Sequence, residues 1–236
     1  MQNIKKIKIY SDGADINSFK NLKDDSLIKG FTTNPTLMSQ AGILDYKKFA
    51  LEVLQIIKNK EISFEVFADD LSEMEDQARE IASWGKNIAI KIPITNTLGR
   101  STNKIIEKLT NDGIKCNITA VFTSYQWKSL KEHIALDSNL IISIFAGRIA
   151  DTGLDPVPIM KSAVETFKDY RNVEILWASP REVLNLIQAE EAGCHIITMP
   201  ENLINKIKLF EKNLEEYSLE TVKMFYDDAL KSGFKI

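Results

Sequence analysis

The sequence is poor in the residues that build disulfide frameworks and metal sites. Its 236 residues include only two cysteines, Cys116 and Cys194, and two histidines, His133 and His195. Both cysteines stand in apolar surroundings, so we expect no disulfide and a reducing, cytoplasmic setting. Neither histidine has a second histidine or a carboxylate at a ligand spacing, so we expect both to be structural and predict no metal site.

Long apolar runs and an excess of positive charge are also missing. No stretch of roughly 18 apolar residues occurs, so we expect no segment to span a membrane. Residues 1–12 lack the apolar core and cleavage site of a signal peptide. The formal net charge of −3 provides no basic surface for nucleic acid and no lysine-rich face for a lipid surface. The composition therefore predicts a protein that binds neither nucleic acid nor membranes.

Glycine is sparse where a dinucleotide-binding fold would need it. After the first predicted strand, the segment YSDGADI contains a single glycine, so the glycine-rich fingerprint is absent. This absence disfavours an open doubly wound sheet, which is the alternative fold for this chain. The apolar fraction of 44% is nevertheless sufficient for a substantial core.

Short apolar runs, mostly β-branched, alternate along the chain with segments of helical period. Eight runs predict strands at residues 7–12, 30–34, 62–68, 88–94, 116–122, 140–147, 174–179 and 194–200. Helix starts are marked by Asp155–Pro156 and Ser179–Pro180, and helix ends by Gly113 and Gly193 among others. Strands that alternate with helices pair in parallel through right-handed crossovers. Eight such units in under about 250 residues predict an α/β protein with a closed (β/α)8 (TIM) barrel.

The pattern continues without a linker, a low-complexity tract or an internal repeat. We therefore expect residues 1–236 to form one domain. After the eighth strand, residues 217–236 predict an extra helix rich in aromatic and apolar side chains. A helix of this kind is expected to cover a surface, either the mouth of its own barrel or a neighbouring subunit.

The predicted strand IAIKIPI, residues 88–94, has a lysine in its centre. A buried ammonium is costly unless it is paired, and burial favours the neutral amine. Lys91 would have a structural explanation if this strand were at a sheet edge, or if its head group reached water. A buried ion pair with Glu65 on the preceding strand is a further alternative, although such pairs contribute little net stability.

In a barrel of this kind, side chains at the C-terminal ends of the strands meet at one rim. Polar residues occupy that end of seven of the eight predicted strands: Asp12; Thr33 and Asn34; Glu65; Lys91; Asn117 and Thr119; Ser143 and Arg148; Ser179 and Arg181. Taken singly, Asp12 could cap a helix, and Asn34 and Ser179 could start a turn or helix before proline. The two arginines could be surface charges. A stable barrel does not require all of these residues at one end.

The set fits amine catalysis. A lysine in an apolar strand can attack a carbonyl and form a Schiff base, which accepts electrons when a nearby carbon–carbon bond breaks. Such a reaction needs carboxylates that move protons, and Glu65 and Asp12 are the candidates. Hydroxyl and amide side chains would hold water and sugar hydroxyls, while two arginines and a serine would hold a phosphate.

Several longer motifs resemble the transaldolase family from about residue 9 to the C-terminus. They are GFTTNPT (30–36), IKIP (90–93), CNITAVF (116–122), SIFAGRIAD (143–151), ASPREV (178–183) and YSLETVKMFYDDA (217–229). The resemblance implies a (β/α)8 barrel that transfers a dihydroxyacetone unit from a ketose phosphate, sedoheptulose 7-phosphate or fructose 6-phosphate, to an aldose phosphate. It implies no metal or other cofactor, and it favours a homo-oligomer.

The same resemblance assigns roles by motif. Lys91 would form the Schiff base, Asp12 would drive carbon–carbon cleavage, and Glu65 and Thr119 would position the catalytic water. The remaining assignments are Thr33, Asn34, Asn117, Ser143 and Phe145 around the dihydroxyacetone unit, and Arg148, Ser179 and Arg181 at the phosphate. The motif SDGAD in the first strand and Ile144, where many members have proline, depart from the family pattern.

Two alternatives stay open at this point. Small members of the family act as fructose-6-phosphate aldolases, which have glutamine in place of Glu65 and tyrosine in place of Phe145. Both positions in this chain resemble the transferases. A non-catalytic barrel that binds sugar phosphates is the alternative from another class, and the intact set of Lys91, Glu65 and Asp12 argues against it.

Overall fold

The structure is a computed structural model that describes residues 6–235. In this part of the chain, eight parallel strands close into a barrel in chain order. The strands are β1 (Lys8–Asp12), β2 (Ile28–Thr32), β3 (Glu61–Glu65), β4 (Ile88–Pro93), β5 (Cys116–Val121), β6 (Leu140–Ile144), β7 (Val173–Trp177) and β8 (Ile196–Pro200). Because β8 pairs with β1 along its whole length, the predicted barrel is confirmed and the alternative of an open sheet is wrong.

Helices cover the outside of the barrel and follow the strands in alternation. They are α1 (Ile16–Leu22), α2 (Pro35–Gln40), α3 (Tyr46–Ile56), α4 (Leu71–Ser83), α5 (Asn103–Asn111), α6 (Ser124–Lys131), α7 (Ala146–Asp151), α8 (Pro156–Thr166), α9 (Leu184–Glu191), α10 (Glu201–Ile204) and α11 (Leu214–Ser232). A 3-10 turn, Ile207–Leu209, connects α10 to the segment before α11. The main apolar core lies between the helices and the outward faces of the strands.

The helix signals in the sequence are confirmed in part. Asp155–Pro156 begins α8, where the Asp155 carboxylate accepts a hydrogen bond from the backbone N–H of Val157 at 3.0 Å. Gly113 and Gly193 follow α5 and α9 with positive φ angles of 77° and 80°, as expected beyond a helix end. The predicted start at Ser179–Pro180 is wrong because α9 begins only at Leu184.

The interior of the barrel is filled below its centre, so only the C-terminal end is open. An apolar cluster closes the middle with Tyr10, Ile141, Leu176, Ala178 and Ile196. Gly30 makes room for this layer, since a Cβ atom at Gly30 would lie 2.5 Å from the Tyr10 ring. At the N-terminal end, the ammonium of Lys115 lies 2.7 Å from Glu61 and 3.4 Å from Glu174. Chemistry inside this barrel is therefore confined to the rim formed by the strand C-termini.

The C-terminal helix α11 contacts little of its own barrel. It begins at Leu214, three residues before the predicted segment, and none of its residues is buried. Large apolar side chains along it are exposed, including Leu214, Leu219, Val222, Met224, Phe225, Tyr226 and Leu230. The final residue of the predicted segment, 236, lies outside the described residues. Within residues 6–235, no helix is long and apolar enough to cross a membrane.

Candidate active site

Lys91 lies inside the barrel beside Glu65. The two residues are direct neighbours in the register of β3 and β4, and the Lys91 Nζ atom lies 3.2 Å from Glu65 Oε2. Nζ also donates a hydrogen bond to the backbone carbonyl of Thr33 at 3.0 Å. Lys91 is only 6% exposed. The explanation by an edge strand is wrong because the closed barrel has no edge, and the explanation by a water-exposed head group does not fit this burial.

Asp12 ends β1 on the opposite side of the rim and belongs to a hydroxyl network. Its carboxylate accepts a hydrogen bond from Thr32 Oγ1 at 2.7 Å, and the Thr32 hydroxyl also contacts the Thr198 hydroxyl. Burial raises the pKa of the Asp12 carboxyl, against the opposing effects of the Lys91 charge and the Thr32 hydrogen bond. The alternative of Asp12 as a helix cap is wrong, since Asp15 caps α1.

A buried chain of polar side chains crosses the barrel below Lys91. Ser143 on β6 donates to the Asn117 carbonyl oxygen at 2.6 Å, and the Asn117 amide donates to Ser63 on β3 at 2.9 Å. Asn117 neighbours Lys91 in the register of β4 and β5. Thr119, two residues further along β5, has a buried hydroxyl without a hydrogen-bond partner among the described residues. An unpaired buried hydroxyl is costly, so Thr119 is suited to hold a water or a ligand atom.

The cavity above these residues has two lobes that share Asn34, Lys91, Thr119, Phe145 and Arg148. The inner lobe, about 100 Å³, adds Asp12, Thr32, Ser143, Ala178, Ser179 and Thr198 to its lining. The outer lobe, about 430 Å³, adds Glu65, Ala120 and four residues of α2. Lys91 thus borders both lobes and has one carboxylate on each side.

Asn34 combines two tasks at the start of α2. Its side chain oxygen accepts a hydrogen bond from the backbone N–H of Leu37 at 2.9 Å, which caps the helix before Pro35. The same residue lines both lobes of the cavity. The capping alternative is therefore confirmed without removing Asn34 from the site.

The loop after β7 approaches α7 closely at Ser179. A Cβ atom at Gly147 would lie 1.6 Å from the Ser179 carbonyl oxygen, so only glycine fits there. Ser179 itself has a φ of 61°, a left-handed conformation that a serine rarely adopts. This conformation explains why Ser179–Pro180 does not start a helix, and it leaves Ser179 on the cavity wall.

The two arginines near this loop are held differently. The Arg148 guanidinium lies over the Phe145 ring at 5.3 Å, and the Phe122 ring lies 5.6 Å from that of Phe145. Arg181 donates through Nη1 to the Ser179 hydroxyl at 3.0 Å and through Nε to Asp151 at 2.9 Å. Arg148 and Ser179 line the inner lobe, whereas Arg181 lines neither lobe and reaches the cavity wall through its hydrogen bond to Ser179.

Thr33, like Asn117 and Arg181, does not line either lobe of the cavity. Its side chain is fully buried, and its hydroxyl donates to the Ser63 carbonyl at 3.1 Å. The cavity lining therefore includes neither its hydroxyl nor its methyl group. Thr33 approaches the site only through its backbone carbonyl, which accepts the hydrogen bond from Lys91.

The sequence matches the model of a known protein family. A family model described as transaldolase/fructose-6-phosphate aldolase matches residues 9–236. The chain belongs to this family. The arrangement of a buried lysine between two carboxylates is thus found in a chain whose family consists of transaldolases and aldolases.

Curated relatives match most of the chain. A protein of a Thermoanaerobacter species named "probable transaldolase" is 32% identical over 231 residues, covering 98% of this chain and 100% of its own. A second protein with that name, from Dehalococcoides mccartyi, is 34% identical over 195 residues, covering 82% of this chain and 87% of its own.

Solved structures of lower similarity show the fold alone. The crystal structure of 2,3-dimethylmalate lyase has a TM-score of 0.58 at 10% identity, covering 99% of this chain and 85% of that one. That of N-acetylneuraminate lyase from Mycoplasma synoviae has a TM-score of 0.54 at 12% identity, covering 97% and 82%.

Some residues of this transaldolase-family site were not identified from the sequence. Thr32 and Ser63 point into the barrel because they stand two residues from the inward positions 34 and 65, so the period of two could have indicated them. Thr198 on β8 also lines the inner lobe, and its hydroxyl contacts that of Thr32. Asp151 had no sequence signal of this kind.

Across residues 6–235, no group of three or more His, Cys, Asp or Glu side chains is arranged to hold a metal ion.

Proposed function

We propose that the protein is a transaldolase that transfers a dihydroxyacetone unit from a ketose phosphate to an aldose phosphate through a Schiff base on Lys91. The observation that carries the proposal is the placement of the Lys91 amine at 3.2 Å from Glu65 on the wall of a cavity that also contains Asp12. A site that only binds sugar phosphates has no need of a buried amine. Family membership supports the reaction class.

In the first step, the neutral amine of Lys91 attacks the C2 carbonyl of the ketose and a C–N bond forms. The resulting carbinolamine loses its hydroxyl as water, which leaves a protonated imine. This loss requires a proton donor, and the return of water at the end requires a proton acceptor. Glu65, which lies beside the nitrogen, donates the first proton and accepts the second, and the unpaired Thr119 hydroxyl holds the water.

In the second step, the C3–C4 bond breaks, which lies between the carbons α and β to the imine. The Asp12 carboxylate takes the proton from the C4 hydroxyl, the C3–C4 bond cleaves, and the electron pair moves to the imine nitrogen as an enamine. The aldose phosphate leaves. When an acceptor aldehyde arrives, the enamine attacks it and Asp12 returns the proton. The raised pKa of Asp12 suits a group that must both take and give a proton.

The remaining contacts follow the two parts of the substrate. Asn34, Asn117 and Ser143 hold the dihydroxyacetone hydroxyls, since Asn34 and Ser143 line the inner lobe and Asn117 fixes the orientation of Ser143. Arg148, Ser179 and Arg181 hold the phosphate, where guanidinium groups provide charged hydrogen bonds. The Thr33 hydroxyl takes no part, because it is committed to the Ser63 carbonyl.

Transfer, rather than release of free dihydroxyacetone, is favoured by Phe145. This ring borders both lobes and carries no hydroxyl that could protonate the enamine. The enamine then persists until the acceptor arrives. Fructose-6-phosphate aldolase activity is the second candidate, because the same family includes it.

The setting of the reaction is part of the proposal. We infer that residues 1–236 act as a single catalytic domain in the cytoplasm, in the pentose phosphate pathway. We also infer a homo-oligomer in which α11 packs on a second copy of the chain. The support is that α11 buries none of its 19 residues in its own subunit although it carries many large apolar side chains.

The experiment is a transfer assay with fructose 6-phosphate and erythrose 4-phosphate. We expect sedoheptulose 7-phosphate and glyceraldehyde 3-phosphate to form in equal amounts, with little free dihydroxyacetone. The variant Lys91→Ala should lose turnover and still bind fructose 6-phosphate. Absence of turnover in wild-type protein that binds the sugar would favour the non-catalytic alternative. Release of one free dihydroxyacetone for each fructose 6-phosphate consumed would favour the aldolase.

A further inference from the structure

We propose that Asp151 is a positioning residue for the phosphate end of the substrate, because it fixes the guanidinium of Arg181 in the orientation that faces the anion. The inference rests on the proposed function for the identity of the substrate. The effect of Asp151 on anion binding through Arg181 can be measured without turnover.

The contact between the two residues is bidentate. Arg181 donates through Nε to Asp151 Oδ1 at 2.9 Å and through Nη2 to Oδ2 at 2.5 Å. A guanidinium has five N–H groups in a rigid plane, so two hydrogen bonds to one carboxylate fix its orientation as well as its position. Asp151 therefore contacts the edge of the guanidinium that is formed by Nε and Nη2.

The opposite side of the same guanidinium faces the cavity wall. Nη1 donates to the Ser179 hydroxyl at 3.0 Å, and Ser179 lines the inner lobe. Two of the five N–H groups are used on Asp151 and one on Ser179, which leaves two for an anion beside the serine hydroxyl. Without Asp151, the long arginine side chain would be free to adopt many rotamers and to turn this edge away.

A structural role explains the pair less well. Arg181 and Asp151 have side chains that are 47% and 52% exposed, so solvent and salt screen the pair even though its contact is bidentate. The connection between α7 and the β7 loop is already made by the Gly147 N–H, which donates to the Ala178 carbonyl at 3.3 Å. The carboxylate is therefore not needed to hold these segments together.

The two arginines are held by different means at this end of the cavity. The Arg148 guanidinium has no hydrogen bond or ion pair with the described residues and rests on the Phe145 ring. Arg181, by contrast, is bound to a carboxylate from the same helix that carries Arg148. Hydrogen bonding to Arg181, with a smaller contribution from the charge of Arg148, keeps the pKa of Asp151 below its usual range. The Asp151 carboxylate that holds Arg181 is therefore ionised at neutral pH.

The test uses inorganic phosphate as the probe. We expect Asp151→Ala to weaken phosphate binding, measured by calorimetry, by about tenfold. It should raise the KM for fructose 6-phosphate by a similar factor with little change in kcat, and leave turnover of unphosphorylated fructose unchanged. Arg181→Ala should weaken phosphate binding at least as much, and the double variant should be no worse than Arg181→Ala alone, because Asp151 acts through Arg181.

Asp112→Ala is the matched control, since it removes another exposed Arg–Asp pair, with Arg79 Nη1 at 2.8 Å, outside the cavity lining. Phosphate binding should not change in this variant. Phosphate bound equally or more tightly by Asp151→Ala would overturn the proposal, as would additive losses in the double variant or an Arg181→Ala variant that binds phosphate normally. A failure of transaldolase turnover with the expected phosphate pattern would instead refute the proposed function alone.

Discussion

The Lys91 amine and the Glu65 carboxylate form a buried ion pair with a separation of 3.2 Å, across neighbouring strands of the barrel. Pairs of this kind are expensive to desolvate, and replacing both partners with well-packed hydrophobic residues of similar volume is often neutral or stabilising. The pair is therefore poor evidence of a structural role. Its position on the cavity wall is better explained by chemistry.

The first prediction separates these two explanations. We expect the double variant Lys91→Met with Glu65→Leu to be inactive and to unfold with a free energy equal to wild type or higher by about 1–4 kcal/mol. Glu65→Gln alone should be less stable than wild type, because it leaves the Lys91 ammonium without its partner. Denaturant unfolding measures both effects. A double variant that is clearly less stable than wild type would make the pair structural.

The second prediction concerns Phe145→Tyr. The Phe145 ring lines both lobes of the cavity, so a hydroxyl on this ring could protonate the enamine. We expect the ratio of dihydroxyacetone release to transfer to rise by about tenfold or more, given the usual size of acid–base contributions. Product analysis by chromatography gives this ratio.

Phe122→Tyr is the control for that experiment. Its ring lies 5.6 Å from Phe145, but it lines a different, apolar groove on the outside of the barrel. A hydroxyl there should leave the ratio unchanged. An unchanged ratio in Phe145→Tyr as well would show that this position does not decide the fate of the enamine.

The eight strands could be predicted because each of them is a short apolar run between two amphipathic segments. The error in β2, predicted at residues 30–34 and found at Ile28–Thr32, has a local cause. Exposed Lys29 interrupts the apolar pattern near the true start, while Thr33 continues the buried pattern beyond the true end. Asn34 then leaves the strand direction to cap α2.

Much of the candidate site could also be predicted, because parallel strands bring their C-terminal residues together whatever their loops do. Contacts made by loops could not. The left-handed Ser179 depends on Gly147, which is 32 residues earlier in the chain, and its close approach to α7. The pairing of Asp151, the last residue of α7, with Arg181, in the loop after β7, likewise has no periodic signal in the sequence.

The third prediction follows from the pKa of Asp12, which burial raises. The folded chain binds this proton more tightly than the unfolded chain, whose aspartate has a pKa of about 3.9. Stability is therefore lost as the pH rises from that value through the folded pKa, and the loss persists above it. Asp12→Asn removes this cost, so we expect it to be more stable than wild type at pH 7.

Thermal unfolding between pH 3 and pH 8 measures the difference. The melting temperature of Asp12→Asn should exceed that of wild type at neutral pH, and the two should converge as the pH falls below about 3.9. The opposite sign at pH 7 would mean that the charged form of Asp12 is stabilised by its surroundings.

The fourth prediction concerns α11. Leu219, Val222, Tyr226 and Leu230 recur at helical spacing on one face and are all exposed. We expect aspartate at both 222 and 226 to lower the mass of the assembly in analytical ultracentrifugation, because charges would be buried at the contact between subunits. Lys223→Glu on the same helix is the control and should leave the mass unchanged. A wild-type monomer would contradict the proposed homo-oligomer.

The most direct test of the central claim is reductive trapping. The protein is incubated with fructose 6-phosphate, reduced with borohydride, digested and analysed by mass spectrometry. The proposal predicts a sugar-derived mass on the peptide that contains Lys91, absent without sugar and absent from Lys91→Arg. Lys115, which pairs with Glu61 at the other end of the barrel, should stay unmodified. An unmodified Lys91 in folded protein that binds the sugar would contradict the Schiff-base mechanism, and the transaldolase proposal with it.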